Sequence, residues 1–458
     1  MRTQSPELCL PEHNQSRTTK VQLMLFYYLR LSALSYKRNP ILSSLMVLAV
    51  AIGISAYMVI YTLNYVMGGN PIPQKSEQLF HVQLDIGNPN QSFDPPRQLT
   101  YLDSMALMRD GRASRQTMSS KFVGIIEPEN PELRPFRSVG RGASADFFAM
   151  FDVPFLYGSS WNEDADTNLQ QVVVLSRELN ERLYGGGDST GEILNMEGNT
   201  FQVLGVIDEW NPVPKYYDVN NGPFDTGEEI YLPWNLIPSL ELSRAGNTSC
   251  HKPVVGVGWQ AFLNSECVWI QYWVELETPE AEADYANFIN NYGAEQKQLG
   301  RFEKPLNNNI LDVEEWLIEQ EVLPDETKIL SALAAMLLAV CLLNTIGLLL
   351  SKFLSKSPEI GVRQALGAHK GSLFIQHVIE AGFIGLIGGL FGAVLAGFGL
   401  EGVKVLLGED LMQTDWIQLD LNLIAITMLM AIMSTIVAGL YPIWRACNVN
   451  PAIHLKTQ

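Results

Sequence analysis

The side chains best suited to chemistry in this sequence are a few histidines, and their spacing forms no catalytic or metal-binding pattern. His81 and His251 have no further His, Cys or carboxylate at the spacing that zinc ligands need. A G-x-x-x-x-G-K-[ST] loop, whose backbone N–H groups hold nucleotide phosphates, does not occur either. We therefore predict no catalytic residue, no metal site and no cofactor in this chain.

Cys250 and Cys267 are suited to one reaction, the formation of a disulfide. They are the two cysteines between residues 67 and 328, and they lie 17 residues apart. In an oxidising compartment they can pair, but two separate buried thiols fit the sequence equally well. The sequence leaves both interpretations open.

A charged and apolar segment at residues 357–368 could mediate contact with another protein. Glu359 and Arg363 stand four residues apart, which favours a short amphipathic helix. Gly367 is placed to end that helix. The alternative is an ordinary solvated loop.

Four long uncharged stretches must position these residues. They are residues 41–66, 329–350, 381–400 and 421–444, and each has at least 20 residues without Asp, Glu, Lys or Arg. A helix of about 20 residues crosses the hydrocarbon layer of a bilayer. The alternative, four buried helices of a soluble enzyme, fits poorly because such helices are shorter and carry a polar face. We predict four transmembrane helices.

The distribution of charge predicts the orientation of these helices. Lys and Arg concentrate before the first stretch, between the second and third, and after the fourth, which places these segments in the cytoplasm. Residues 67–328 carry 40 Asp and Glu against 18 Lys and Arg, and residues 401–420 are also acidic. Both are therefore predicted to lie outside, and the acidity argues against nucleic acid as a ligand.

The sequence of residues 67–328, the outer segment, predicts a mixed α+β domain inserted between transmembrane helices one and two. Alternating or clustered β-branched and aromatic residues predict strands at residues 79–84, 122–126, 171–175, 201–207 and 268–276. Helical patterns cover residues 144–151, 176–184, 281–291 and 311–323.

Small and polar residues in the membrane stretches predict helix contacts. Gly385 with Gly389, and Gly388 with Gly392, are small-xxx-small pairs that allow close approach within the protomer or across a dimer. Simple tolerance of glycine is the alternative. Asn64 lies in the first stretch and Asn344 in the second. Both are expected to form hydrogen bonds with neighbouring helices rather than to bind a substrate.

Several motifs together resemble the MacB/FtsX-type ABC transporter permeases. The segment SPEIGVRQALGA at residues 357–368 resembles that family's R-E-I-G-x-x-R-A-L-G-A, although Pro358 replaces a polar residue. The outer segment contains SADFFAMFDVP at residues 144–154, similar to S-x-D-Y-F-x-x-x-x-x-P, and residues 172–185 and 201–206 also follow the family pattern. The tail has YPIWRA at 441–446 and NPA at 450–452, similar to P-A-x-R-A and D-P-A.

The resemblance implies a division of the chain in which residues 352–380 couple to a partner ATPase. Composition, hydropathy and the resemblance together predict a polar, disordered N-terminus (1–20), an amphipathic cytoplasmic helix (21–40), transmembrane helix 1 (41–66), a MacB-like periplasmic core domain (67–328), transmembrane helix 2 (329–351), the coupling segment (352–380), transmembrane helix 3 (381–400), a periplasmic loop (401–420), transmembrane helix 4 (421–444) and a cytoplasmic tail (445–458). The alternative for residues 21–40 is an extension of the first transmembrane helix. The implied coupling residues are Glu359, Ile360, Gly361, Arg363, Leu366 and Gly367. The apolar face formed by Ile360, Val362 and Leu366 would dock on the ATPase.

The function implied is that of a permease subunit in the bacterial inner membrane, with both termini cytoplasmic, which exports or expels substrate by mechanical transmission. ATP and magnesium would bind to a separate ABC ATPase, because this chain has no phosphate-binding loop. Further implied partners are a second permease copy or paralogue and, in some systems, a periplasmic adaptor and an outer-membrane channel. The alternatives are a permease that extracts lipoproteins and an FtsX-like regulator of a cell-wall hydrolase that transports nothing.

Overall fold

A computed structural model describes residues 15–87, 95–407 and 421–447, and the chain divides into a helical membrane unit and an inserted domain at about residues 66–323. Within the described residues, four helices are long and apolar enough to cross a membrane: Pro40–Met67, Asp325–Ser355, Lys370–Val405 and Ile424–Cys447. One precedes the inserted domain and three follow it. The predicted fold class is confirmed.

In the described residues before the inserted domain, the chain forms two helices. They are α1, Gln15–Arg38, and α2, Pro40–Met67. Pro40 occupies the first position of α2, where its missing N–H has no helical partner to lose. The expected disorder of residues 1–20 is wrong for residues 15–20, because no Pro or Gly interrupts the sequence between Gln15 and Arg38. Residues 1–14 lie outside the described part.

The inserted domain alternates short strands with short helices. Its strands are β1 Leu79–Gln83, β2 Leu99–Thr100, β3 Arg115–Ile126, β4 Phe136–Ala143, β5 Phe155–Gly158, β6 Val172–Leu175, β7 Ile193–Met196, β8 Asn199–Ile207, β9 Ile230–Pro233, β10 Ser243–Arg244, β11 Ser249–Cys250, β12 Cys267–Glu275 and β13 Asn309–Asp312. Its helices are α3 Tyr101–Asp110, α4 Phe147–Met150, α5 Glu163–Thr167, α6 Arg177–Tyr184, α7 Leu236–Ser239, α8 Gly258–Leu263, α9 Pro279–Gln298 and α10 Val313–Glu319, with a 3-10 helix at Tyr216–Asn221.

A mixed sheet is the centre of this domain, and both of its faces are covered. The main strand order is β13-β1-β12-β3-β4-β9-β6-β8-β5, with parallel pairing of β4 with β9 and of β6 with β8. In β6, Val173 and Leu175 pack into one hydrophobic cluster while Val172 and Val174 pack into another. Successive side chains of a strand point to opposite faces, so the apolar run in β6 fills two cores.

Two predicted helices of this domain differ from the structure. Residues 144–151 contain only the single turn α4, because the Ser144 hydroxyl instead accepts from the backbone N–H of Met118, 3.2 Å away. The predicted helix at residues 311–323 begins only at Val313. Asp312 caps it by accepting from the N–H of Glu315 at 2.8 Å, and the residues before it pair as β13.

After the inserted domain, the part of the chain that the structure describes forms four helices: α11 Asp325–Ser355, α12 Ser357–Ala365, α13 Lys370–Leu407 and α14 Leu421–Cys447. The predicted coupling segment, 352–380, overlaps the helices on both sides of α12, and its role stays a prediction. Residues 352–355 belong to α11, and residues 370–380 form the first turns of α13. Residues 401–407, predicted as loop, continue α13, while 408–420 and 448–458 lie outside the described residues. Charged residues do not stop a helix, so lack of charge underestimates its length.

Candidate coupling site

The short helix α12 carries the predicted coupling residues, and its own sequence accounts for where it begins. Pro358 lies in its first turn, where a missing N–H costs nothing. Glu359 in the first turn and Arg363 in the last turn complement the helix dipole. Arg363 Nη2 lies 2.6 Å from Glu359 Oε1. Both side chains are over 40% exposed, so this pair stabilises the helix by only about 0.5 kcal/mol.

Gly367 ends α12 and turns the chain toward α13. Its φ is +95°, a conformation that a side chain would strain. The N–H of Ala368 donates to the carbonyl of Arg363 at 2.9 Å, and the N–H of Gly367 donates to that of Gln364 at 3.0 Å. This is the hydrogen-bond pattern of a Schellman cap.

The apolar residues of α12 point in two directions, which corrects the predicted docking face. Ile360 is 5% exposed and packs in the core of the membrane unit with Phe353 and Leu373. Val362 and Leu366 are 49% and 83% exposed. A helix turns about 100° per residue, so residues 362 and 366 share a face while residue 360 points away from them. Only Val362 and Leu366 of the three are available to a partner.

Polar contacts hold α12 against two membrane helices. Arg363 Nη1 lies 3.4 Å from Gln376 Oε1 on α13. Gln364 Nε2 donates to the carbonyl of Cys447, at the end of α14, over 3.2 Å. Together with Ile360, these contacts connect the short helix to the body of the membrane unit.

A buried carboxylate, Glu380 on α13, gathers donors from several segments beside α12. Lys352 Nζ at the end of α11 lies 2.9 Å from Glu380 Oε1, and Lys356 Nζ lies 3.1 Å from the same oxygen. His377 Nδ1 lies 3.2 Å from Oε2, and the Ser35 hydroxyl of α1 donates to Oε1. Buried charges are costly unless paired, and here the pairing joins α1, α11 and α13.

This charged cluster lies just outside the uncharged stretches 329–350 and 381–400. The local spacing contained a signal, since Lys352 and Lys356 are four residues apart and His377 and Glu380 are three apart. Nothing in the sequence, however, showed that the two pairs meet. Lys356 is the single residue between α11 and α12, and its ammonium donates to Glu380. Glu380 therefore fixes the connection between these two helices.

The glycines of α13 contact two different helices of the same protomer. A Cβ added to Gly385 would lie 2.0 Å from Thr435 Oγ1 on α14, and one added to Gly389 would lie 3.0 Å from Ala431 Cβ. At Gly388 and Gly392 the nearest contacts are with α2, at 2.7 and 3.1 Å. The two small-xxx-small pairs therefore face α14 and α2 respectively, and bring both helices close to α13.

The two membrane asparagines occupy different environments. The amide of Asn64 on α2 donates to the hydroxyl of Ser331 on α11, a bond between helices. Asn344 on α11 has an exposed side chain. Exposure of the polar Asn344 amide to lipid is costly, so contact of this side chain with another helix would be more favourable.

The inserted domain has a buried ionic network around Arg141 on β4. Its guanidinium donates to Asp218 and, over 2.7 Å, to Glu228, and it lies 4.9 Å above the Tyr217 ring. Burial alone would raise the pKa of Glu228, but the charges of Arg141 and Lys215 lower it. Removing one partner from such a network leaves a buried charge uncompensated, which costs about 3–5 kcal/mol.

His81 on β1 is a packing residue. Its ring is fully buried, stacks on Trp316 with centroids 3.7 Å apart, and places Nε2 3.2 Å from Gln271 Oε1. Burial lowers its pKa to about 3, and the hydrogen bond to Gln271 opposes only part of this. His81 is therefore neutral at physiological pH. No three His, Cys, Asp or Glu side chains come together as metal ligands in the described residues.

Cys250 and Cys267 face each other across paired strands. Their backbones are directly opposite in the antiparallel pair β11–β12, and the structure joins them as a disulfide. Whether the bond forms in the membrane-bound protein stays a prediction.

Two family models match the chain, and together they cover most of it. Residues 43–287 match the MacB-like periplasmic core domain. Residues 331–451 match the FtsX-like permease C-terminal domain. The first covers the first membrane helix and most of the inserted domain, and the second covers the three later membrane helices and α12. No ATPase domain is found in this chain.

Curated relatives of similar sequence are transporter components. One is the pyoverdine export ATP-binding/permease protein PvdT of Pseudomonas syringae, 24% identical over 69% of this chain and 42% of the relative. Another is the uncharacterized ABC transporter permease YvrN of Bacillus subtilis, 24% identical over 57% of this chain and 56% of the relative. The chain thus spans about half the length of these relatives. Among solved structures, the periplasmic region of MacB from Actinobacillus actinomycetemcomitans is 15% identical over 56% of this chain and 97% of its own, with a TM-score of 0.35.

Proposed function

Because the chain belongs to the family of ABC transporter permeases that join a MacB-like periplasmic core domain to an FtsX-like permease domain, we propose that it is the permease subunit of an exporter driven by a separate cytoplasmic ATPase. It is a multi-pass membrane protein with a periplasmic domain. In our proposal ATP and magnesium bind to the partner, and this chain transmits the resulting movement to the periplasmic domain. The substrate is expelled from the periplasmic side without a polar channel through the helices.

The observation that carries this proposal is the two-sided packing of α12. Ile360 and Gly361 are buried against the membrane unit, while Val362 and Leu366 on the other side remain exposed. Exposed apolar residues on a short helix favour a protein partner, since burying each large aliphatic side chain stabilises a complex by about 1.5–3 kcal/mol. A helix that is packed against the membrane unit on one side and exposed on the other can transmit movement of a bound partner to the membrane helices.

The ion pairs of the Glu380 cluster could transmit that movement from α12 to the membrane helices. Lys356 leads directly into α12, and its ammonium is bound to Glu380 on α13. Movement of α12 would therefore reach α11, α13 and α1 through charge-assisted contacts rather than through apolar packing alone. Such contacts are directional, which suits mechanical transmission.

The proposed orientation places both termini and α12 in the cytoplasm of a bacterial inner membrane. Lys and Arg cluster in the segments that adjoin α12, whereas the inserted domain is strongly acidic. The positive-inside rule favours this arrangement over its inverse.

A second permease copy or a paralogue is the proposed partner in the membrane. On α11, Leu337, Val340, Asn344 and Gly347 are exposed at helical spacing, so a polar amide and a glycine lie on an otherwise apolar surface. Amides and glycines favour contact between membrane helices over contact with lipid. A periplasmic adaptor and an outer-membrane channel complete the assembly in the efflux version of the proposal.

Two other functions belong to the same family. One is extraction of lipoproteins from the membrane, and the other is control of a cell-wall hydrolase without transport. The large periplasmic domain favours the exporter, and the export named for the Pseudomonas relative has the same direction.

Loss of the exposed face of α12 tests the proposal. We expect Leu366→Asp to abolish co-purification of the ABC ATPase that the wild-type chain retains, because a carboxylate would replace an apolar contact. The matched control is Val405→Asp, which changes a residue of similar exposure, 81%, at the far end of α13. The control should retain the ATPase. Equal retention by both variants, or a wild-type chain that retains no ATPase, would overturn the proposal.

A further inference from the structure

A cavity of about 330 Å³ opens between α1, α12 and α13, next to the Glu380 cluster. Its wall is amphipathic. Leu31, Leu34, Ile360 and Leu373 form the apolar part, and the polar part is mostly charged. A ligand that fills it must combine an ionic group with hydrocarbon.

The charged side chains that face the cavity have an excess of positive charge. Four cations, Lys37, Arg38, Lys356 and Arg363, and two carboxylates, Glu359 and Glu380, line it. Lys352 adds a further buried positive charge behind Glu380.

Both carboxylates are already engaged, whereas two of the cations are not. Glu359 binds Arg363, and Glu380 binds Lys352 and Lys356. Lys37 and Arg38 are exposed at the end of α1 and form no ion pair with any residue that the structure describes. The two cations are therefore available to an anion in the cavity.

We propose that this cavity binds the phosphate headgroup of an anionic phospholipid. Lys37 and Arg38 contact the phosphate, and the acyl chains lie along the apolar surface of α1 and the start of α2. Phe26 and Ile41 on that surface are 71% and 78% exposed. Basic pockets between helices at the cytoplasmic face of a membrane suit such headgroups. The adjoining apolar surface favours a lipid over free phosphate as the source of the anion.

The bound lipid would connect the amphipathic helix α1 to the coupling helix α12. Because Glu359 and Arg363 of α12 form part of the wall, occupancy of the cavity would stabilise the position of α12. This inference does not depend on the proposed function, since the lipid can bind whether or not an ATPase docks.

Native mass spectrometry of the full chain in detergent tests the site, with dioleoyl phosphatidylglycerol and dioleoyl phosphatidylcholine as probes. We expect the wild-type chain to bind phosphatidylglycerol about tenfold more tightly, since each Lys or Arg near an anionic headgroup contributes a several-fold gain. The double variant Lys37→Gln/Arg38→Gln should lose this preference. The control, Lys370→Gln/Arg445→Gln, removes two exposed cations near the same helix ends but outside the cavity wall, and should keep it.

Three results would overturn the proposal: equal binding of the two lipids by the wild type, equal loss in both double variants, or displacement of the lipid by equimolar inorganic phosphate. The last would mean that the cavity takes a soluble anion. If the double variant melts below the wild type, the single changes Lys37→Gln and Arg38→Gln decide the matter. Each should lower the preference about threefold, and no change in either would contradict the site.

Discussion

Lys352 and Glu380 form an ion pair with Nζ and Oε1 2.9 Å apart, and both side chains are less than 5% exposed. The pair joins the end of α11 to the first third of α13, across the joint from which α12 starts. Lys352 also lies 3.3 Å from the Ser43 hydroxyl of α2. A single carboxylate thus connects the helices that surround the candidate coupling site.

Replacement of Glu380 should destabilise the membrane unit strongly. We expect Glu380→Gln to lower the free energy of unfolding by about 3–5 kcal/mol, because Lys352 and Lys356 lose their counter-ion in a buried place. Denaturation of the purified chain in detergent measures this. The double variant Lys352→Met/Glu380→Gln should recover part of the loss, since one stranded charge is gone.

The matched control for this prediction is Glu401→Gln. Glu401 binds Lys404 at 2.9 Å near the other end of α13, but its side chain is 68% exposed. The loss there should stay below about 1 kcal/mol. Similar losses for Glu380→Gln and Glu401→Gln would show that burial of the Glu380 cluster is unimportant.

A methyl group at Gly385 should disturb the contact between α13 and α14. The added carbon of Gly385→Ala would lie 2.0 Å from Thr435 Oγ1 and 2.9 Å from the carbonyl of Ala431, so the helices must separate. We expect a loss of about 1–3 kcal/mol, seen as a lower melting temperature in detergent. Gly402→Ala, near the other end of α13, is the control, because nothing lies within 4 Å of its added carbon. A melting temperature for Gly385→Ala equal to that of the control would contradict the packing.

His81 should make the periplasmic domain less stable in acid. Its pKa in the folded domain is about 3, below the usual 6.5, so the unfolded chain binds the extra proton. Stability is then complete above pH 6.5 and falls as the pH drops from 6.5 toward 3. Between pH 7.5 and 5 the loss from this residue should be about 2 kcal/mol.

The variant His81→Gln isolates this effect, because it removes the titrating ring but keeps a hydrogen-bond donor near Gln271. Unfolding followed by tryptophan fluorescence should show a smaller loss between pH 7.5 and 5 than in the wild type. His251 is half-buried and also has a lowered pKa, so His251→Gln is the comparison for a less buried histidine and should change the pH dependence less. An unchanged pH dependence in His81→Gln would refute the prediction.

The disulfide between Cys250 and Cys267 should be present in protein isolated from the membrane. Alkylation before and after reduction should show two additional labels after reduction, by mass. The bond closes a loop of 17 residues, so its removal by Cys250→Ser/Cys267→Ser should cost about 3 kcal/mol. Labelling of Cys250 and Cys267 before reduction, with no gain of label after it, would mean that these two cysteines are free thiols. The buried Cys341 and Cys447 serve as internal controls, since their labelling should not depend on reduction.

The membrane class, the arrangement of one helix before and three after an inserted domain, and the family could all be predicted from the amino-acid sequence. These depend on local properties: long uncharged runs, clusters of β-branched and aromatic residues in strands such as β6 and β12, and short motifs in chain order. The cap at Gly367 and the pair of Glu359 with Arg363 are also local, because both lie within one helical turn or its end. For the same reason both features could be predicted without knowledge of the tertiary structure.

Contacts between side chains that are far apart in the sequence could be identified only from the folded chain. Lys352, Glu380 and Ser35 come from three helices, and no spacing rule connects them. Burial of Ile360, which removes it from the predicted docking face, likewise depends on where α12 packs rather than on its own pattern. Gly385 and Gly388 look alike in sequence but face different helices. The physical reason is the same in each case: hydropathy and spacing describe one element, whereas partners and burial are properties of elements packed together.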